Sequence, residues 1–188
     1  NEAAGEYEVT QLIIEVQKKC KPFLKQTQSY DGPLTFRRGT RKSLGYGGRL
    51  VPRADRRPLG TDLKLHSIMD AEFKKRFGWK ARSEDVFAYN GTRGTIADYG
   101  KEYNVFPEGI FELLWSPKID DITDWLITNG VLSYRKPYSL QIPIEEATER
   151  VKEIVKTYKA TDLISALKSG NEVMFKCKAY HMLDAKFP

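Results

Sequence analysis

Along EVTQLIIEVQKKCKPFLKQT, residues 8–27, apolar side chains fall at Leu12, Ile13, Val16, Cys20 and Phe23. That spacing predicts a one-sided helix, with Pro22 marking a kink or an end. PLTFRRGT, residues 33–40, reads as a short strand running into a basic loop. Residues 41–60 hold Gly45, Gly47, Gly48, Pro52, Pro58 and Gly60, which predicts loop rather than a regular element. Helical spacing returns at residues 61–77, where Leu65, Ile68, Met69, Phe73 and Phe77 form the inner stripe. Thr61 or Asp62 is the expected cap and Gly78 the expected stop.

The middle of the chain changes period. EDVFAYNG reads as a strand, GTIADYGKEY as a short helix, and YNVFPEGIFELLWS as one or two more strands. KIDDITDWLITNG is a helix pattern closed by Asn129-Gly130, and residues 131–143 are extended and proline-broken. Residues 143–158 form the clearest helix, with Pro143 and acids in its first turn. ATDLISALKSGN predicts a further short helix. SGNEVMFKCKAYHML, residues 169–183, then alternates as one strand, Val173, Phe175, Cys177 and Ala179 facing in and Glu172, Lys176, Lys178 and Tyr180 facing out. Helices come early and late around short central strands, so the fold class is α+β.

Composition narrows the class. The 188 residues are 40% apolar and 12% aromatic, enough for a core and for a single domain. No apolar run approaches the roughly 18 residues of a membrane span, and NEAAGEYE has no signal-peptide character, so the reading is no membrane association and a cytoplasmic location. Cys20 and Cys177 give no disulfide framework and are expected to be reduced. His66 and His181, without CxxC or HExxH, give no zinc site. His66 is read as a surface or boundary residue, and Ser116 lacks companions for serine hydrolase chemistry. Asp120, Asp121 and Asp124 are read as an acidic helix start rather than a metal site.

Charge adds a local feature. The net charge is +6, and Arg37, Arg38, Arg41, Lys42, Arg49, Arg53, Arg56 and Arg57 crowd one segment. Such a block suits phosphates, nucleic acid or an acidic protein. Neither GxGxxG nor GxxxxGK[ST] is present.

Three separated segments together resemble one family. FRRG at 36–39, DVFAYNGTRGTIADYG at 85–100 and GNEVMFKCKAYHML at 170–183 follow the order of the motifs in mono-ADP-ribosyltransferases of the Arg–Ser–Glu class. These are an aromatic-x-Arg-Gly strand, a strand leading to A-x-x-[YF]-G, and a late strand opening on Glu-Val. The whole also looks like proteins of large tailed bacteriophages. The resemblance covers roughly residues 34–183, with residues 1–30 as an N-terminal helix over the core, and it implies a split, mixed sheet with flanking helices.

The resemblance implies transfer of ADP-ribose from NAD to a protein or nucleic-acid acceptor, without a metal. Breaking the nicotinamide–ribose bond generates an oxocarbenium-like cation, as glycoside cleavage does. Glu172 would stabilise it as the catalytic carboxylate. Arg38 matches the family arginine that holds the cofactor, and Gly39 and Thr40 would lie beside it. Phe87 and Tyr89, or Tyr99, would frame the nicotinamide. The family's middle strand carries serines where this chain has Ala88-Tyr89-Asn90, so Tyr89 or Asn90 must orient the glutamate. Gly170 stands where arginine-modifying members carry Glu or Gln, which argues against a guanidinium acceptor. Arg53, Arg56 and Arg57 are candidates for phosphate or acceptor contacts. The rival readings are a nucleic-acid-binding protein without catalysis, carried by residues 37–57, and an inactive or inhibitory protein of the same fold.

Overall fold

In the computed structural model, residues 2–32, 36–57, 62–90 and 100–186 are described. They form helices α1 (Glu2–Lys19), α2 (Lys21–Thr27), α3 (Leu63–Phe77), α4 (Ala81–Glu84), α5 (Ile122–Thr128), α6 (Ile144–Lys156) and α7 (Leu163–Ser169). The strands are β1 (Phe36–Thr40), β2 (Gly47–Leu50), β3 (Val86–Asn90), β4 (Lys101–Pro107), β5 (Glu112–Trp115), β6 (Glu172–Lys176) and β7 (Tyr180–Asp184). The class is α+β, as the pattern predicts.

The strands join in the order β2-β7-β4-β1-β3-β6-β5, each neighbouring pair antiparallel. This corrects the mixed sheet that the resemblance implies. It also replaces a split sheet by one hydrogen-bonded sheet. Among the described residues β1 pairs with β4 over four positions and with β3 through Phe36–Asn90 and Arg37–Tyr89.

Chain reach shows that the sheet folds over on itself. β6 and β7 stand four ladder steps apart, which in a flat sheet is about 19 Å. The link Cys177–Ala179 allows at most about 14 Å between the facing strand ends. Only a strongly curved sheet satisfies both. Inside it, Phe36, Val86, Ala88, Tyr103, Val105, Leu113, Val173, Phe175 and Met182 pack with Phe23 of α2 and Leu163, Ala166 and Leu167 of α7. On the other face of β3, β6 and β5, Phe87, Met174 and Leu114 pack with apolar side chains of α3, α5 and α6. Both faces of β6 are therefore covered, and Glu172 through Phe175 are all buried. The predicted outward face fails for Glu172 for this reason, while Lys176 stays half-exposed and Lys178, in the link to β7, is exposed.

Other differences are local. The predicted strand 169–183 is two strands, broken at Cys177–Ala179. β2 lies inside the predicted loop, where main-chain pairing to β7 needs no side-chain alternation from Gly47 and Gly48. The predicted helix over 94–103 falls partly on residues 91–99, outside the described ones, but Lys101–Tyr103 are strand, paired with Arg38–Thr40. Asp62 caps α3 through the Lys64 and Leu65 N–H groups, and Gly78 ends it in the left-handed conformation; Thr61 lies outside the described residues. Cys20 and Cys177 are free, and burial pushes each thiol up to about 12.

Asp85, just before β3, receives the Trp79 indole N–H at 3.0 Å on both oxygens. Burial pushes its carboxyl up from 3.8 to about 8. The native state thus keeps a proton that the unfolded chain releases above about pH 4. The stability this group contributes is complete below that pH and is lost as pH rises toward 8. Urea unfolding between pH 5 and 8 should show wild-type stability falling by up to about 1.4 kcal/mol per unit from this group. Asp85→Asn should flatten that slope, and an unchanged slope would remove Asp85 as its source.

Candidate active site

β6 sits beside β3, and the register sets Glu172 opposite Tyr89 and Met174 opposite Phe87, so these four side chains share one face. Glu172 is 3% exposed. Its main-chain N–H donates to the Asp120 carbonyl at 2.7 Å, which ties the start of β6 to the turn before α5. A buried carboxylate needs partners. Arg82 of α4 donates to Glu172 Oε1 at 2.8 Å, and Tyr89 Oη lies 2.9 Å from Oε2.

The same Tyr89 hydroxyl lies 2.6 Å from Asp121 Oδ2. Asp121 also caps α5, its Oδ1 accepting from the Thr123 and Asp124 N–H groups. One phenol hydrogen cannot serve two carboxylates, so the trio is complete when one of them carries a proton. Burial raises the Glu172 carboxyl above its ordinary 4.5, against the pull of Arg82, while Asp121 adds to the rise. Burial and the two carboxylates hold the Tyr89 phenol well above 10, so it remains a donor.

Phe87 carries the cationic side of the site. The Arg56 and Arg82 guanidinium carbons lie 4.1 and 4.4 Å from its ring centroid. Arg38, at the β1–β3 seam, donates to the Phe87 carbonyl at 3.0 Å. Burial, then the charges of Arg38 and Arg82, lower the Arg56 guanidinium to about 10. Arg56 and Arg82 thus flank the Phe87 ring, with Arg82 also on the Glu172 carboxylate and Arg38 on the Phe87 main chain. Arg56 Nη1 and Arg82 Nε are buried and make no hydrogen bond among the described residues. Such donors suit an anionic ligand.

The residues singled out from sequence divide as follows. Arg38, Phe87, Tyr89 and Glu172 come together on three adjacent strands, with Arg56 from the loop. Gly39 stands opposite Glu102, and the Thr40 hydroxyl accepts from the Lys42 N–H at 3.1 Å. Of the two candidates for orienting the glutamate, Tyr89 contacts it, while Asn90 donates to the Leu167 carbonyl of α7. Tyr99 lies outside the described residues. Arg53 and Arg57 are exposed.

Arg82 is the residue the sequence does not reveal, because nothing in WKARSED distinguishes it from a surface arginine. His66 is a correction. It is 8% exposed, not a surface residue, and its Nε2 lies 3.0 Å from Ser83 Oγ. Ser83 Oγ bonds Asp70 directly. A hydrolase triad would place the carboxylate on the far imidazole nitrogen, so this cluster is not one.

Among the described residues no group of His, Cys, Asp or Glu has the geometry of a metal site, and no helix is long and apolar enough to cross a membrane. No family model, curated protein or solved structure matches the chain.

Proposed function

We propose that the chain transfers ADP-ribose from NAD to a macromolecular acceptor with release of nicotinamide. The observation that supports this reading is that Arg38, Phe87, Tyr89 and Glu172, from three segments far apart in sequence, lie on three adjacent strands, where Arg38 bonds the Phe87 main chain and Tyr89 bonds the buried Glu172 carboxylate.

In this reading the bond from nicotinamide nitrogen to ribose C1′ breaks and its electron pair leaves with nicotinamide. A nucleophilic atom of the acceptor then bonds to C1′ and gives up its proton. Glu172, ionised, stabilises the oxocarbenium-like cation between the two events, and Tyr89 fixes its orientation. The cofactor's phosphates are the natural anion for Arg38 and Arg56, and their arrival offers Arg82 an alternative to Glu172. That exchange matters, because Glu172 is closed off while Arg82 holds it.

The test uses NAD labelled in its adenylate half, incubated with the chain and a cell lysate. Label should enter macromolecules as nicotinamide appears, and nuclease or protease treatment then gives the acceptor class. The absence of both label transfer and nicotinamide release would defeat the reading.

The closed Glu172–Arg82 pair favours one rival, a non-catalytic protein in which the network only organises the core. The nucleic-acid rival is weakened by the basic block itself. Arg37 pairs with Glu102 at 3.5 Å and Arg49 with Glu108 at 2.6 Å, while Arg38 and Arg56 turn to Phe87. Nucleic-acid binding that is steeply salt-dependent and survives Glu172→Gln would restore it.

A further inference from the structure

Around Phe87 the positive charge outruns the negative. Arg56 and Arg82 lie 4.1 and 4.4 Å from the ring centroid, and Arg38 donates to the Phe87 carbonyl at 3.0 Å. Among the described residues, the carboxylate bonded to this group is Glu172, which accepts from Arg82 Nη1 at 2.8 Å. Arg56 Nη1 and Arg82 Nε are buried and have no acceptor among the described residues. A buried guanidinium donor without an acceptor is costly, and cations beside it raise the cost. Both guanidinium carbons are within 4.4 Å of one ring centroid, near enough for a single phosphate or diphosphate to bridge them. The loop side is the open one, because Arg56 is half-buried between exposed Asp55 and Arg57. The Arg56 N–H donates to the Ser83 carbonyl of α4 at 3.1 Å, which keeps the loop beside the helix that carries Arg82.

We propose that Arg56 and Arg82 form a binding site for a phosphate-class oxyanion, free or carried by a nucleotide, and that the anion competes with Glu172 for the Arg82 guanidinium. The donors left over, Arg56 Nη1 and Arg82 Nε, belong to planar forks that match phosphate oxygens. Arg82 has one positive charge to share, so what the anion gains Glu172 loses. The competition is reciprocal: the factor by which Glu172 weakens anion binding is the factor by which the anion weakens the Glu172–Arg82 pair. Inorganic pyrophosphate is therefore a ligand in its own right, and a competitor for any nucleotide that uses the same donors. As regulation of transfer this rests on the function proposed above; as a binding site it does not.

The probe is inorganic pyrophosphate, titrated calorimetrically into the purified full chain at about pH 7.5 and about 0.15 M salt, where exposed charges are screened beyond about 8 Å. Wild type should bind it. Glu172→Gln should bind it about tenfold more tightly, since Arg82 is then released from its carboxylate. Arg56→Gln should bind it about tenfold more weakly, the scale of one charge-assisted hydrogen bond, and removing a crowded cation should leave folding intact. Arg82→Ala combined with Glu172→Gln removes the pair as a whole and should weaken binding to a similar extent. Arg135→Gln, at an exposed position between α5 and α6, should bind as wild type does. No binding by wild type, equal affinity in wild type and Glu172→Gln, or equal weakening by Arg56→Gln and Arg135→Gln would each overturn the proposal. Should Glu172→Gln fail to fold, Arg56→Gln against Arg135→Gln decides alone. ADP-ribose added as a competitor separates the two sources of the anion. Displacement of pyrophosphate means that a nucleotide diphosphate uses this site, and no displacement means that the site serves free anions. Because no NAD is cleaved, this result stands apart from success or failure of the transferase reading.

Discussion

Glu172→Gln is expected to lower nicotinamide release at least about 10²-fold, the scale of removing one preorganised electrostatic group. The substitution keeps the shape, and its amide oxygen can still accept from Tyr89 or Arg82, but it leaves the Arg82 guanidinium buried without its counter-charge, so some stability is lost as well. What disappears is the negative charge. The same requirement gives the activity a pH profile with a fixed sign. In the proposed transfer the catalytic form is the ionised carboxylate, and burial raises the Glu172 carboxyl above 4.5. Turnover should therefore rise with pH through a limb displaced above the ordinary carboxylate range. A limb at or below about 4.3, where a free glutamate titrates, would show that Glu172 is not the group being read.

Arg82→Ala should be the most damaging single change to stability, by about 3–5 kcal/mol at neutral pH. Arg82 and Glu172 are paired at 2.8 Å with side chains 11% and 4% exposed, so neither charge has water to fall back on. Removing the arginine leaves a carboxylate buried against Phe87 and Tyr89. It then recovers by taking a proton, which raises its titration further. The penalty should consequently shrink as pH falls through that raised value and grow as pH rises. Adding Glu172→Gln to Arg82→Ala should recover much of the loss, since the orphaned charge is gone. Urea unfolding of the four proteins in this cycle, at pH 5 and 8, measures all three statements. A pH-independent penalty, or a double variant no more stable than Arg82→Ala, would mean that the pair contributes by packing alone.

The residues that the sequence made legible share a property. Arg38, Phe87, Tyr89 and Glu172 sit on strands with a readable period, next to glycines or in short motifs, and the sheet then brings those strands side by side. Arg82, His66, Asp70 and Ser83 lie on α3 and α4, where nothing local marks them; their roles arise only when those helices pack over β3 and β6. The same division holds for the fold. Amphipathic helices such as α3 and α6 are written in 3.6-residue spacing, with Asp62 and Gly78 at the ends of the first. β2 and the break between β6 and β7 are set by long-range pairing and by the curvature of the sheet, and a window of sequence contains neither. The outward face assigned to β6 failed for a related reason. Alternation shows which residues share a face, but not that helices cover the second face as well.

The most direct test of the central claim is nicotinamide release from NAD by the purified chain, measured beside Glu172→Gln shown by circular dichroism to be folded under the assay conditions. Release by the wild type, with a loss of at least about 10²-fold in the variant, is the expected result. Equal release by both proteins, or none by either, would contradict the assignment of Glu172 as the carboxylate that drives ADP-ribosyl transfer.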